Sequence, residues 1–347
     1  AANSKPVKRR MAHLPKGRPD PSVFRHGIKI LSAGKACKTV NPPPDPARAS
    51  PPPLDIPVPP SHNGRAGGFG KNEAFPGQNA GVSMRHDLTR GLWAAAILLA
   101  WAMTAGAAPL ERVFVLEGFA TPEGVAVDPE TGTAYVSNMN TPPETYWQDT
   151  GKGFISRMAP GGSKLDALRW VDSTPEHVLN QPKGMAVMAG WLHVADNKRL
   201  LSFALADGKP GPVVEVPGAE RLNDVAACDG KVYVSDVATG KIHRMDTKAG
   251  NALDVVAEIE GVNGLYVHDG VLFVVSWTLH DLYTVPLDGS GPPKPFRLSN
   301  RFKNLDGLHV LPDGTLLVSD FTGHKVFVVS ANRRRAWPVA ELSTPAD

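Results

Sequence analysis

Five segments that match one another at intervals near forty residues, four strand-like stretches in each interval and no helical period between them predict an all-β fold, a six-bladed β-propeller. In register the segments are PEGVAVDPETGTAYVSN from Pro122, PKGMAVMAGWLHVADN from Pro182, LNDVAACDGKVYVSD from Leu222, VNGLYVHDGVLFVVSW from Val262 and LDGLHVLPDGTLLVSD from Leu305. A β-sandwich would also alternate strands and turns, but it would not repeat itself.

Each unit reads the same way. A short opening motif leads into a four-residue apolar strand, a turn built on Asp, Gly or Pro follows, and a second strand ends in Ser or Ala plus a polar residue. Third strands follow as FISRMA, LLSFALA, KIHRMDT, DLYTVPL and KVFVVSA, and shorter fourth stretches such as VVEVPG and DVVAEIEG close the unit. The opening residues Glu123, Lys183, Asn223, Asn263 and Asp306 are spaced by 60, 40, 40 and 43 residues. The long first interval carries an insertion, NTPPETYWQDTGKG, in the loop between its second and third strands. A sixth opening motif, STPAD, arrives with Ala346, 40 residues after Asp306. The last blade therefore reads as truncated, with only RRRAWPVAEL and the early stretch ERVFVLEG to draw on.

The region ahead of the repeats is a different material. Ala1–Ala107 holds 15 Lys and Arg against 5 Asp and Glu, whereas Ala108–Asp347 holds 22 against 29. The overall net charge of +3 describes neither part, which removes the case for a nucleic-acid partner. Ala1–Ser83 is rich in proline (NPPPDPARASPPPLDIPVPP) and glycine and lacks a sustained apolar period, so it is expected to be disordered. From Met84 the order is Arg85 and Arg90, an apolar run from Leu92 to Met103, then Ala105-Gly106-Ala107, the plan of a secretory signal peptide over 84–107. A retained membrane anchor is the alternative, but the run is short for a bilayer. The expectation is an exported, periplasmic or secreted propeller over 108–347, its native start at Met84 and the preceding residues upstream translation. Two cysteines, Cys37 and Cys228, make no zinc framework, and Cys228 is expected to be a lone thiol packed near a strand end.

In a propeller the first strand of each blade lines the central channel, and all such strands run the same way. The five opening residues should therefore converge as a ring on one face. Glu123, Asn223, Asn263 and Asp306 bring four hard oxygen donors and two formal negative charges, which suits a calcium-sized cation; no His or Cys competes for zinc or copper. Any single Asn-Gly or Asp-Gly is a turn former. Four oxygen-bearing residues at matching blade positions point to a site.

With these motifs assembled, PEG at Glu123, RLND with Arg221, Asn223 and Asp224, VNG at Asn263 and LDG at Asp306, the region from about Pro109 onward resembles the gluconolactonase and luciferin-regenerating enzyme family, often named after senescence marker protein, and more distantly the paraoxonases and diisopropylfluorophosphatase. The resemblance implies a six-bladed propeller with a central divalent metal held by Glu123, Asn263 and Asp306. Asn223 would ligate the metal or hold substrate and water, and Arg221 would lie at the pocket. The sequence departs from the family in lacking the Trp often found after the first motif and in its shorter, more regular repeats.

Other polar positions read as structural. Asn138, Asp196, Asp236, Trp277 and Asp320 follow the second strands and are expected to cap the next turn. His243, His268, His280, His309 and His324 lack metal-ligand spacing and are expected at loop or strand surfaces, with His309 the reserve acid/base partner. The functional expectation is a monomeric calcium-dependent hydrolase of a lactone or similar ester, with Asp306 as general base and Asn223, Arg221 and Lys183 as substrate-binding residues. Two alternatives stand beside it: a non-catalytic binding module resembling NHL-type propellers with a structural calcium, and a metal-independent enzyme resembling strictosidine synthase.

Overall fold

A computed structural model describes residues 115–299 and 302–342. The expected disordered segment at 1–83, the signal peptide at 84–107 and the sixth opening motif all lie outside these residues. Twenty strands form five four-stranded antiparallel sheets, and among the described residues there is no α-helix. Blade 1 comprises β1 (Pro122–Val127), β2 (Ala134–Asn138), β3 (Phe154–Met158) and β4 (Leu165–Asp172). Blade 2 comprises β5 (Pro182–Met188), β6 (Trp191–Asp196), β7 (Arg199–Ala204) and β8 (Val214–Glu215). Blade 3 runs from β9 (Leu222–Cys228) through β10 (Lys231–Asp236) and β11 (Lys241–Asp246) to β12 (Ala252–Glu258). Blade 4 has β13 (Val262–His268), β14 (Val271–Ser276), β15 (Leu282–Pro286) and β16 (Lys294–Pro295), and blade 5 has β17 (Leu305–Val310), β18 (Leu316–Asp320), β19 (Lys325–Val329) and β20 (Ala336–Glu341). The fold is the expected all-β propeller.

The count of blades is a correction: among the described residues five are formed, where six were expected. The described parts of the two stretches expected to feed a sixth are used elsewhere. Ala336–Glu341 pairs with β19 as the outer strand of blade 5, because its apolar residues match that edge. Residues 115–118 form no strand; Leu116 and Phe119 instead pack on Ala134, Val136 and Met158 of blade 1.

Each sheet buries both faces, which is why second and third strands such as VLFVVS and KVFVV read as nearly continuous apolar runs. Ile155 and Tyr135 of blade 1 pack on Leu192 and Val194 of blade 2, and equivalent cores lie between blades 2 and 3, 3 and 4, and 4 and 5. The hairpins between first and second strands of blades 2, 3 and 4 are two-residue turns, Ala189-Gly190, Asp229-Gly230 and Asp269-Gly270, with both residues at positive φ. That primed turn follows the natural twist of the strands and sets their register.

All five innermost strands carry a bulge at the opening motif, seen as a register shift at Pro122/Val125, Pro182/Met185, between Leu222 and Val225, and at Val262/Leu265 and Leu305/Leu308. The bulge leaves an amide without a ladder partner. Second-strand serines supply one: Ser137 Oγ accepts from Gly124 N at 2.7 Å, Ser235 Oγ from Asp224 N at 2.9 Å and Ser319 Oγ from Gly307 N at 2.8 Å. The next residue holds the incoming chain. Asp196 accepts from Asn180 N and Gln181 N, Asp236 from Glu220 N and Arg221 N, and Asp320 from Lys303 N and Asn304 N, all between 2.5 and 3.1 Å. Asp236 and Asp320 also cap their following turns, as expected. Their larger task is the strand behind them, and in blade 4 the matching residue is Ser276, opposite Val262, rather than Trp277.

Glycines after the ring residues serve by lacking a Cβ, since none of Gly124, Gly184 and Gly264 has positive φ. A Cβ on Gly124 would sit 2.6 Å from Lys183 O, one on Gly184 would sit 2.7 Å from Asn223 O and strike Asp224, and one on Gly264 would strike Asp306 O. In this way β1, β5, β9, β13 and β17 pack in sequence around the axis.

Three expectations about single residues are corrected. His243 and His309 are buried rather than on the surface, packed in sheet positions where an apolar environment surrounds the ring. Cys228 is buried at the end of β9 as expected, but it is disulfide-bonded and not a lone thiol. Burial pushes His193 down to about 4, and burial with His268 nearby does the same to His309.

Two predictions follow from this packing. Gly184→Ala should lower stability by about 1–3 kcal/mol in urea unfolding. Gly291→Ala, whose Cβ would meet only Pro286 Cγ at 3.7 Å, should be near neutral. The histidines give a pH dependence. Their folded values lie below the unfolded value near 6.5, so the unfolded chain binds more protons as pH falls from 6.5 toward 4. Stability should drop through that window by about 1.4 kcal/mol per unit for each histidine. A His193→Gln, His309→Gln double variant should flatten the slope, and an unchanged slope would reject the assignment.

Candidate functional site

Glu123, Lys183, Asn223, Asn263 and Asp306 all occupy the bulge position of their strands, so the blade register expected from the repeats is the one observed. Asn263 Nδ2 donates to Asp306 Oδ1 at 2.8 Å, which joins the ring residues of blades 4 and 5. On blades 1 and 2, the Glu123 carboxylate acts electrostatically on the Lys183 ammonium. Between these pairs, Asn223 of blade 3 is buried, and its Oδ1 accepts no hydrogen bond. Asp224 takes the place of glycine in this repeat and staples its neighbours: its Oδ2 accepts from Leu265 N at 2.9 Å on blade 4.

Lys183 is only 2 % exposed. Its Nζ donates to Gln181 O and to Asn197 Oδ1, each at 3.2 Å, and lies 4.1 Å from the centre of the Trp147 ring. Burial pushes the amine down to about 8, while the carboxylates of Glu123, Asp196 and Asp149 oppose the fall. Trp147 and Asp149 belong to the blade 1 insertion, which runs from 139 to 153 between β2 and β3 as expected and contains one short 3-10 turn, Pro143–Thr145. The insertion is tied to blade 2. Asn197 Nδ2 donates to Asp149 Oδ1 at 2.7 Å, Gly151 N to Asn180 Oδ1 at 3.1 Å and Gln181 Nε2 to Thr150 Oγ1 at 2.9 Å. Arg221, exposed at the mouth one residue before β9, lies 5.6 Å from the same indole and forms no salt bridge among the described residues.

Sequence reasoning missed Trp147, Asp149, Gln181 and Asn197. The insertion breaks the repeat, so its residues have no counterparts in other blades to mark them. Asn197 follows the capping aspartate and reads as one more turn residue, an impression its positive φ supports.

The donor set can be tested against the metal it was expected to hold. Among the described residues no three His, Cys, Asp or Glu side chains come together, which does not fit zinc or copper. Two carboxylates and two amides are the donors of a hard cation, and the oxygen of one of those amides, Asn223 Oδ1, is buried and accepts no hydrogen bond. On blades 3 to 5 the residues with donors of that kind are Asn223 on β9, Asn263 on β13 and Asp306 on β17. On the other side Lys183 already balances Glu123, so the ring offers such an ion less negative charge than its carboxylates alone suggest.

No family model matches the chain, and no curated protein matches it. Among solved structures it is similar to a chain of a nidogen/laminin complex at 14% identity and a TM-score of 0.49, covering 63% of this chain and 83% of that one. It is also similar to virginiamycin B lyase from Staphylococcus aureus, crystallised with quinupristin, at 15% identity and 0.46, covering 62% and 83%. A streptogramin B lyase gives 13% identity and 0.49, covering 68% and 73%. Likeness at this level carries no argument about what the ring binds.

The cover over Lys183 is open to test. Lys183 should resist trinitrobenzenesulfonate in the wild type, read by peptide mass spectrometry, and Trp147→Ala should raise its labelling rate at least tenfold without changing that of exposed Lys209. Equal rates would show that Trp147 does not shield the amine.

Proposed function

We propose that the ring end of this propeller is a small-molecule site and that the protein is an exported, monomeric hydrolase of a lactone or similar ester, with calcium taken by Glu123, Asn223, Asn263 and Asp306. The observation that carries this reading is the buried Asn223 Oδ1 without a hydrogen-bond partner, set beside the Asn263–Asp306 pair. Leaving such an acceptor unsatisfied costs about 1–3 kcal/mol, a cost that a bound cation or ligand would remove.

Calcium, when bound, would polarise the ester carbonyl. Asp306 is the general base: the Asn263 amide holds one carboxylate oxygen, which fixes the group so that the carboxylate can take a proton from water. Arg221 is exposed and forms no salt bridge among the described residues, so its positive charge can draw in polar substrates. Trp147 offers an apolar face above the ring, and Lys183 a donor beneath it.

A binding module with a structural calcium is the second reading. It is favoured by the cover that Trp147 and its insertion place over Lys183. Metal analysis of the purified chain, followed by a lactone and aryl-ester panel with and without chelator, separates the two. Calcium with chelator-sensitive turnover supports the hydrolase, and calcium without turnover supports the binding module.

For the hydrolase, Asp306→Asn should cut kcat at least a hundredfold and calcium affinity far less, because the amide keeps an oxygen but cannot take a proton. Glu123→Gln should do the reverse, weakening calcium binding with activity recovered at high calcium. Near-normal turnover by Asp306→Asn at saturating calcium would remove the base assignment.

A further inference from the structure

Away from the ring residues, blade 2 departs from the repeat at its outer edge. The outermost strands of blades 1, 3 and 5 run for eight, seven and six residues, whereas β8 has two. Pro210 and Pro212 bring no backbone N–H to the ladder. Beyond Arg199 and Leu200 the pairing of β7 with this segment is reduced to one bridge, Phe203 to Pro210. A cleft of about 130 Å³ opens here, bounded by the crossover from blade 1 at 176–179, by β7 and by Pro210, Gly211 and Val213.

The lining is apolar, with one charge left over. Leu179, Leu201 and Phe203 are buried members of the core between blades 1 and 2 and form the floor. Val178 and Val213, 36 % and 49 % exposed, stand at the edge. Arg199 is already engaged: its Nη2 donates to Asp196 Oδ2 at 2.9 Å and to Val178 O at 2.8 Å, which fastens the crossover to β7. Glu176 differs. It is exposed and forms no salt bridge among the described residues. Hydrogen bonds from its own backbone and from Thr174 hold its carboxyl below the usual carboxylate range. It stands in a closed turn, in which Thr174 N donates to His177 O at 3.1 Å and His177 N to Thr174 O at 3.2 Å.

We infer that this cleft is a second ligand site, which takes a small organic cation built as a primary ammonium next to a single aromatic ring. Size selects the apolar part. An apolar cavity of about 150 Å³ accepts benzene, so a cleft of about 130 Å³ has room for one ring. A ring seated on Leu179, Leu201 and Phe203 would cover Val178 and Val213, which the fold by itself leaves in water. Charge selects the polar part. The guanidinium in the lining is neutralised by Asp196, and the carboxylate of Glu176 is not neutralised by a partner, so the cleft favours a cation over an anion. His177, beside Glu176, opposes that preference when it is protonated. None of the five ring residues lines the cleft, so this site stands independently of the hydrolase reading.

The test uses the full chain with benzylamine, and benzyl alcohol as its uncharged counterpart, read by saturation-transfer NMR. Benzylamine should bind saturably with a Kd of about 1 mM or tighter, and benzyl alcohol more weakly. Glu176→Gln should weaken benzylamine about two- to fivefold and leave benzyl alcohol unchanged, because the amide keeps the size of the side chain and removes its charge. Val213→Phe, at an exposed position, should fill the cleft and abolish saturable binding of both probes. Val178→Phe repeats that measurement from the other wall if the first variant does not fold. Absence of saturable benzylamine binding by the wild type overturns the site, as does binding that survives both phenylalanine variants. Equal benzylamine affinity in the wild type and Glu176→Gln overturns the assignment of a cationic ligand.

Discussion

The structure depends on how closely five strands can approach one axis. Their backbones meet near the bulge after each opening motif, where Gly124, Gly184 and Gly264 leave no room for a Cβ against the next strand. That approach needs two supports. The displaced amide must be satisfied, which Ser137, Ser235 and Ser319 do, and the chain entering the strand must be held, which Asp196, Asp236 and Asp320 do with paired hydrogen bonds. The same bulge carries one polar residue per blade at a matching position, and on blades 4 and 5 the two are hydrogen-bonded, Asn263 Nδ2 to Asp306 Oδ1. Close packing and the ring are thus consequences of a single backbone device, repeated.

The ring is not uniform in charge. Blades 4 and 5 contribute an amide–carboxylate pair, and blades 1 and 2 a carboxylate with a buried lysine. The second pair persists because the blade 1 insertion surrounds the lysine with an indole, an asparagine and Asp149. An ammonium this well enclosed is a donor fixed in place before any ligand arrives.

Several residues were misjudged for a common reason. His243 and His309 alternate in and out of their strands like any neighbour, and sequence spacing does not say which face a sheet will cover. Counting along the chain points to Trp277, but the bulge and pairing of blade 4 set Ser276 opposite Val262. RRRAWPVAEL reads as material for a further blade, yet Ala336–Glu341 pairs with β19, whose edge would otherwise present unpaired backbone groups.

The sequence by itself determined not the number of blades but the all-β propeller class and the register of the five described blades, with Glu123, Lys183, Asn223, Asn263 and Asp306 at matching positions. Each of these is encoded in a repeat, and a repeated environment selects the same residue types at the same spacing. Only the tertiary structure decided what surrounds the ring: that Trp147 lies on Lys183, that Asn197 links the amine to Asp149, and that Asn223 keeps a buried oxygen without a partner. Those contacts join one blade's insertion to the next blade's turn. They arise from how blades pack on one another, a relation between separate segments that no local pattern in the chain records.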